Sequence, residues 1–468
     1  MTDKAPVATT ELETFLPQDG SITNGNKYKV TKEDPEAANG ALNHDFDPFK
    51  ARVLDHPVSD CDTLTHLLKA SLGTGILAMP AAFMSAGLVV GIFATIIVAI
   101  ICTHCSYILV VCAHELYKRS GKTVMSFADV AEESCRRGPK WSKPFAYAAR
   151  QIVLQGIFVT YFTTCSCYAV IVAKNFEQVA SHYMGAEVSL RLIIAILLIP
   201  LIILSYIPNL KYLAPVSMVA NVFMAVGLGI TFYYLVSDIP PITERRLVSP
   251  ISTFPVFFSI TIFAIEAIGV VMPLENNMET PQHFVGICGV LNQGMSGVTL
   301  IYIFLGFLGY LKYGDETLGS ITLNLEPGDY AAQAVKILIA LAVFCTFGLQ
   351  FYVALDIVWN GIKDYDTCRK FPTIANYILR TVLVTLSVVI AIAVPTITPF
   401  VSLIGAFCFS ILGLLVPVFL EIITFWDKGF GKYNWKIWKN VVVVIAGIFA
   451  LVFGSKSAIE DIATIYTT

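Results

Sequence analysis

Charged residues are scarce in this chain. Asp, Glu, Lys and Arg make up 14% of the 468 residues, whereas a soluble protein of this length carries about a quarter. Hydrophobic residues make up 56%, and they fall in runs long enough to cross a bilayer, which takes about 20 residues. This composition excludes a soluble globular protein and predicts an all-α polytopic membrane protein in contact with lipid.

The sequence also lacks the residue patterns of a catalytic or metal centre. No nucleophile with a matching base stands out, and no cysteine or histidine spacing is typical of a metal site. Most of the 11 cysteines lie within apolar runs, so Cys102-x-x-Cys105 is expected to be a pair of small helix residues. We therefore expect no enzymatic activity, no metal or cofactor, and no nucleic-acid partner.

The N-terminal part of the chain is different in composition. Residues 1 to about 60 are polar and rich in Asp, Glu, Asn, Thr and Pro, which predicts a disordered cytosolic tail. No signal peptide precedes the first apolar run. That run is therefore expected to act as the insertion signal.

Eleven apolar segments follow the tail. They are expected at about 63–84, 86–114, 148–172, 189–207, 211–236, 251–273, 286–311, 331–360, 374–394, 397–421 and 440–457.

The loops between these segments predict an orientation. With a cytosolic N-terminus, the loops rich in Lys and Arg, after the second, eighth and tenth segments, all lie in the cytosol. This agrees with the positive-inside rule. The C-terminus is then expected on the extracellular or lumenal side.

The segments divide into two sets of five of similar length. The first covers 63–236 and the second 251–421, with an eleventh helix and a short C-terminus in 440–468. An odd number of spans in each set inverts the second set relative to the first, as in many secondary transporters. This expectation depends on lengths and topology, because no sequence similarity between the halves is visible.

The first segment of each set contains a break in its helical pattern. Gly73-Thr74-Gly75 precedes Pro80 in the first, and Ile265–Gly269 precedes Pro273 in the sixth. Unwound amides at a half-helix N-terminus can bind a carboxylate, and freed carbonyls can accept from an ammonium group. Small residues can also simply permit close helix packing. The pairing of two breaks favours a binding site for a zwitterion.

Ionisable residues inside the spans are costly and usually functional, and two of them are candidates for a functional role. Glu266 lies at the second break, where it can carry a proton, contact an ammonium group, or bridge the broken backbone as a neutral carboxyl. His104 lies inside the second span, and histidine is suited to respond to a proton gradient. The alternative is a neutral histidine bonded to a backbone carbonyl.

Several motifs together make the sequence resemble the proton-coupled amino acid transporters of the amino acid/auxin permease superfamily, in the animal branch for small neutral substrates. The matching stretches are GTGILAMP (73–80), HCSYILVVCAH (104–114), FAIEAIGVVMPLENNM (263–278), GSITLNL (319–325) and LQFYV (349–353). The resemblance implies a leucine-transporter-like fold with eleven helices, and symport of amino acids such as glycine, alanine and proline with protons rather than sodium.

The resemblance also implies roles for particular residues. It ties His104 to proton coupling, with Glu266 as a second candidate. Substrate-binding positions in the first and sixth spans, and weaker ones in the third and eighth, are Ser71, Gly73, Thr74, Gly75, Phe263, Ala264, Glu266, Tyr161, Gln350 and Tyr352.

Some family features are missing here. The predicted outer loops, about 174–188 and 312–330, contain no cysteine, and the chain has no Asn-x-Ser/Thr site, so an extracellular disulfide and N-glycosylation are not expected.

A sodium-coupled carrier is a close alternative to a proton-coupled one. A second function is an amino acid sensor in a plasma, lysosomal or endosomal membrane, with the tail recruiting cytosolic signalling partners.

Overall fold

The computed structural model describes residues 47–54, 57–207 and 210–467. This part of the chain is helical, and its one isolated β-bridge pairs Val58 with Met278. Most of the predicted tail, residues 1–46, lies outside the described residues. The helices up to the middle of the chain are α1 (Asp60–Ser71), α2 (Gly75–Ala86), α3 (Leu88–Ser120), α4 (Phe127–Arg137), α5 (Ala146–Met184), α6 (Leu190–Ser205) and α7 (Leu210–Val236).

The second half of the bundle begins at α8. Its elements are α8 (Phe254–Ile265), α9 (Ile268–Asn277), α10 (Val290–Tyr313), α11 (Tyr330–Ile362), α12 (Asp366–Lys370), α13 (Pro372–Ala393), α14 (Ile397–Leu403), a π-helical segment (Ile404–Leu415), α15 (Val416–Thr424), α16 (Trp435–Phe449) and α17 (Ser455–Thr467).

Nine helical stretches of the described chain are long and apolar enough to cross a membrane, and the bent pair α1 and α2 makes a tenth. The predicted all-α polytopic class is confirmed. Helix α6 is apolar but has only 16 residues, fewer than the about 20 that a perpendicular span needs. Counting it gives eleven spans, a number that stays a prediction.

The centre of the bundle is formed by the two broken helices. Helix α2 packs against α8 and α10, and nearly all its residues are buried. Close approach depends on small residues: a Cβ on Gly306 would overlap the Phe83 ring, and one on Gly309 would overlap Pro80. Glycine at such contacts is typical of membrane helices, whose association relies on close packing.

The outer helices present apolar side chains to their surroundings. Ile199 and Ile203 of α6 and Trp438 and Ile445 of α16 are each more than 60% exposed. Lipid can cover such side chains at no cost, because hydrocarbon tails are as apolar as they are.

The ordered chain begins earlier than the sequence predicts. A tail extending to residue 60 was expected, but the structure places Arg52 in a buried contact with Glu275. Val58 pairs with the end of α9 through two backbone hydrogen bonds, to Asn277 (2.9 Å) and from Glu279 (3.0 Å). Polar composition alone does not reveal this segment, because its contacts are with residues more than 200 positions away.

Candidate functional site

The first break lies between α1 and α2, which meet at an angle of 59°. Helix α1 ends at Ser71, whose carbonyl accepts a hydrogen bond from the Tyr302 hydroxyl. Among the described residues, the amides of Gly73, Thr74 and Gly75 donate to no backbone carbonyl. Because the positive end of the α2 dipole lies at these amides, the break offers a site for an anionic group.

The second break lies between α8 and α9. Glu266 leaves the helical conformation with ψ of 121°, and its Oε1 atom accepts from the amide of Ile268 at 3.0 Å. Glu266 thus caps α9. Within the described chain, the carbonyls of Phe263, Ala264 and Ile265 accept no backbone N–H outside regular helix bonding. The second break therefore presents backbone hydrogen-bond acceptors, whereas the first break presents backbone hydrogen-bond donors.

A cavity of about 120 Å³ lies between the two breaks. Residues from α1, α2, α5, α8, α9, α11 and the π-helical segment line it, together with Phe127 at the start of α4. The structure brings nine of the predicted substrate-binding residues to this cavity: Ser71, Gly73, Thr74, Gly75, Tyr161, Phe263, Ala264, Glu266 and Gln350.

The two glycines of the first break have different surroundings. A Cβ on Gly75 would lie 2.6 Å from the Cα of Ala264, so this glycine lets the two broken helices touch. A Cβ on Gly73 would meet nothing closer than the Ala70 carbonyl at 4.0 Å. The packing interpretation therefore accounts for Gly75, whereas Gly73 borders open space of the cavity.

Two predicted residues do not line the cavity. Tyr352 lies two positions beyond Gln350 on α11, and a rotation of about 100° per residue turns it to the far side of the helix. Tyr352 is not among the residues that line this cavity, and its role in binding stays a prediction. His104 is the second of these residues, and it lies on α3 outside the cavity. Its buried Nε2 atom has no hydrogen-bond partner among the described residues. Its charged neighbours are Glu421 and Lys439, which form a 2.8 Å ion pair.

Tyr168 is a cavity residue that the sequence analysis missed. Tyr168 of α5 lines the cavity together with Thr74 of the first break and Gln350 of α11. Thr160, Tyr161, Thr164 and Tyr168 lie at helical spacing on one face of α5. That polar stripe within an apolar run is the signal that could have found them.

A buried polar network lies beyond one end of the cavity. Phe127 lines the cavity, and the backbone of Met125, two residues earlier, bonds the Asn276 side chain in both directions, at 2.8 and 3.4 Å. Glu275, the preceding residue of α9, pairs with Arg52 at 3.1 Å. The segment at residue 52 therefore covers the bundle at the end predicted to face the cytosol.

The described residues contain no group of three or more His, Cys, Asp and Glu side chains that could hold a metal ion. What the site offers is instead a polar cavity enclosed within apolar helices. Unwound backbone at membrane depth is tolerated where it lines such a cavity, and paired helix breaks mark the binding sites of secondary transporters. Fold and site together define a membrane transporter.

Comparison with known proteins gives the family. The family model described as transmembrane amino acid transporter protein matches residues 56–460, and this chain belongs to that family. It is a multi-pass membrane protein of amino acid transport, and the expectation of a transporter rather than an enzyme is confirmed.

Relatives match over nearly the whole chain. The Drosophila melanogaster protein named proton-coupled amino acid transporter-like protein pathetic is 61% identical over 457 residues, covering 98% of this chain and 96% of that protein. The amino acid transporter ANT1 of Arabidopsis thaliana is 26% identical, covering 86% of this chain and 93% of that protein.

Among solved structures, the nucleobase-cation-symport-1 family transporter Mhp1 in a closed conformation, with bromovinylhydantoin bound, aligns over 88% of this chain and 94% of its own. Its sequence identity is 15% and its TM-score 0.47.

Proposed function

We propose that this protein is a proton-coupled symporter of small neutral amino acids of the glycine, alanine and proline type. The observation that carries the proposal is the small cavity between two helix breaks of opposite polarity. Alternating access would expose this cavity first to one side of the membrane and then to the other.

The polarity of the cavity matches a zwitterion. The substrate carboxylate docks on the amides of Gly73, Thr74 and Gly75, and the ammonium group on the carbonyls of Phe263 and Ala264. In the described part of the chain, these amides and carbonyls form no backbone hydrogen bonds outside regular helix bonding. Because lipid supplies no water to these groups, a ligand that satisfies both poles is strongly preferred.

The size of the cavity favours small side chains. Its volume of about 120 Å³ is below the ~150 Å³ of an engineered cavity that takes up benzene. Apolar walls from Phe263, Phe409 and Leu412 favour small apolar side chains over charged ones. Glycine and alanine therefore fit as the cavity stands, and proline would require a small outward movement of its walls.

Proton coupling is proposed from two intramembrane titratable groups. Glu266 lines the cavity, and His104 lies outside it on α3. The name of the Drosophila relative, which includes the words proton-coupled, supports the same coupling here. We assign proton transfer to Glu266, His104 or both.

Uptake in oocytes tests the proposal. Radiolabelled glycine and alanine should enter faster at external pH 5.5 than at about pH 7.5, with an inward current, and replacing sodium should leave the flux unchanged. Absence of a pH-dependent flux or current would reject proton coupling. A flux that requires sodium would favour the sodium-coupled rival.

Orientation and compartment belong to the same proposal. We place the N-terminus in the cytosol and the C-terminus on the outer or lumenal side of a plasma, lysosomal or endosomal membrane. A tag on either end, probed by antibody before and after permeabilisation, tests the orientation, and microscopy of the tagged protein tests the compartment.

A second candidate function is sensing of amino acid availability. The segment before α1 joins the preceding tail directly to Glu275 at the end of α9, so a change at the second break has a short route to that tail. Deleting residues 1–46 separates the functions. Flux should survive the deletion, while downstream signalling should fall; the reverse result would reject this division.

A further inference from the structure

We propose that Oε2 of Glu266 is the atom that carries the coupled proton, and that Gly413 of the π-helical segment is the positioning residue that seats this carboxyl. The inference rests on the proposed proton symport and makes it specific to one atom. It assigns no role in proton binding to His104.

The two oxygens of Glu266 have different surroundings. Oε1 accepts from the amide of Ile268, whereas Oε2 is buried with no hydrogen-bond partner among the described residues. The residue as a whole is 8% exposed. A buried carboxylate without a second donor is far more costly than a neutral carboxyl. The geometry therefore favours a proton on Oε2 while Oε1 remains the acceptor.

Among the described residues, no cationic side chain contacts this carboxyl. The titratable groups beside it are the thiols of Cys102 and Cys105 from α3, and the hydroxyls of Tyr161 and Tyr168 from α5 line the same cavity. A thiol is only a weak donor. An arriving proton is therefore the available source of positive charge for Glu266.

Gly413 makes the room that the carboxyl occupies. A Cβ on Gly413 would overlap Oε2 and lie 2.6 Å from the carboxyl carbon Cδ. Gly413 belongs to a π-helical stretch, Ile404–Leu415, and such segments within α-helices occur frequently at functional sites. Any larger residue would push the carboxyl toward the cavity or out of its contact with Ile268.

The proton cycle follows from this arrangement. A proton from the outer water forms an O–H bond at Oε2 while the cavity is open outward, and closure buries a neutral carboxyl. Opening to the inner side hydrates Oε2, so that the O–H bond breaks and the proton leaves to the inner water. Because Glu266 lines the substrate cavity, both solutes share one opening and closing movement.

The first experiment uses the full-length protein in liposomes. Glu266→Gln is matched in size and mimics the protonated carboxyl, and glycine counterflow measured for each variant gives the exchange rate to which its gradient-driven uptake is scaled. Accumulation driven by a pH gradient should fall at least tenfold, whereas Glu266→Asp should retain it. Retained accumulation in Glu266→Gln would overturn the inference. Absence of gradient-driven uptake in the wild type would instead reject the proposed symport.

The second experiment tests Gly413. Gly413→Ala should shift the midpoint of the pH–uptake curve by at least half a pH unit, and the shorter carboxylate in Glu266→Asp/Gly413→Ala should restore it. Gly229→Ala is the matched control, because a Cβ there meets nothing within 4 Å.

Thermal unfolding in detergent shows whether each protein is folded. A folded Gly413→Ala variant with an unchanged pH midpoint would refute the positioning role. If Gly413→Ala alone does not fold, the double variant decides: recovery of folding and coupling supports the steric account, and recovery of neither refutes it.

Discussion

Arg52 Nη2 lies 3.1 Å from Glu275 Oε1, and both side chains are buried, at 3% and 0% exposure. The same carboxylate also contacts His114 Nε2 at 3.0 Å and accepts from the Tyr117 hydroxyl at 2.9 Å. The guanidinium further donates to the carbonyl of Thr123 at 2.9 Å. Arg52 thus binds the segment before α1 to the loop after α3 and to Glu275 at the end of α9. Glu275 in turn contacts α3 through His114 and Tyr117.

Arg52→Ala is expected to destabilise the protein substantially. Removing one partner of a buried pair leaves an uncompensated charge, which costs about 3–5 kcal/mol. The midpoint of thermal unfolding in detergent should fall clearly. Lys50→Ala serves as the control, since the Lys50 side chain is 88% exposed. A midpoint as high as that of the control would show that the Arg52 contact contributes little.

The two glycines of the first break should respond differently to alanine. In Gly75→Ala the new methyl group would press on the backbone of Ala264, and overpacking of this kind costs about 1–3 kcal/mol or more. We expect low surface expression. Gly73→Ala should reach the surface normally but raise the KM for glycine, because its methyl group enters the cavity. Surface biotinylation and uptake kinetics check both, and equal expression of the pair would contradict the assigned packing.

Tyr168→Phe should weaken substrate binding without unfolding the protein. Loss of its hydroxyl removes a polar group from the cavity wall, and one hydrogen bond to a substrate contributes about 0.5–1.5 kcal/mol. The KM for glycine should therefore rise roughly 2- to 12-fold. Tyr147→Phe is the control, because Tyr147 is 70% exposed. Unchanged KM in both variants would remove Tyr168 from the site.

The helix α4, outside the membrane spans, contains a pH-sensitive ion pair. Glu133 is buried and contacts Lys122 at 2.9 Å and Arg137 at 3.1 Å. Burial raises the pKa of Glu133, but the two cations together lower it by a larger amount. The pKa of Glu133 therefore lies below the usual 4.5. Its stabilising contribution is therefore present above the unfolded-state pKa and is lost as the pH falls through the lower folded pKa.

Glu133→Gln measures that contribution. At pH 7 the variant should unfold at a lower temperature than wild type, and the difference should shrink as the pH falls below about 4.3, the ordinary pKa of glutamate. Glu244→Gln is the control at an exposed carboxylate. A difference that stays constant down to pH 3 would argue against the ion pairs as its cause.

Leu412→Ala should change the size selectivity of transport. Leu412 lines the cavity, and removing its branched end adds room for larger apolar substrates. Each methylene group that a hydrophobic pocket accommodates contributes about 1–3 kcal/mol to the discrimination between substrates. The uptake of valine or leucine relative to glycine should therefore rise about tenfold. Competition assays with an amino acid panel measure this ratio. Leu300→Ala, at a 58% exposed position, should leave it unchanged.

Much of the architecture could be predicted from the sequence because lipid restricts the choices. Apolar runs must be helices when no water satisfies their backbone, and the observed helices follow the predicted segments. The breaks were found for a related reason: two glycines around Thr74 interrupt the first segment, and Glu266 is a costly residue in the middle of the sixth. The number of spans was less secure, since the 16 residues of α6 fall short of a full span.

Side-chain direction was harder to predict. The resemblance assigned Tyr352 to the site, but a difference of two residues on a helix reverses the face, so Gln350 lines the cavity and Tyr352 does not. Tyr168 was missed because a tyrosine among apolar residues gives no local sign of what it contacts. Nothing in the sequence pointed to Gly413, because its role depends on contact with the carboxyl of Glu266, about 150 residues earlier in the chain.

The sequence by itself determined that this chain is a helical membrane protein with two interrupted helices, because hydrophobicity and helix-breaking residues act locally. Only the tertiary structure decided which oxygen of Glu266 lacks a partner, which glycine permits contact and which borders the cavity, and that Arg52 closes onto Glu275. Those features arise from distances between remote segments. They depend on how whole helices pack, which no local pattern of residues specifies.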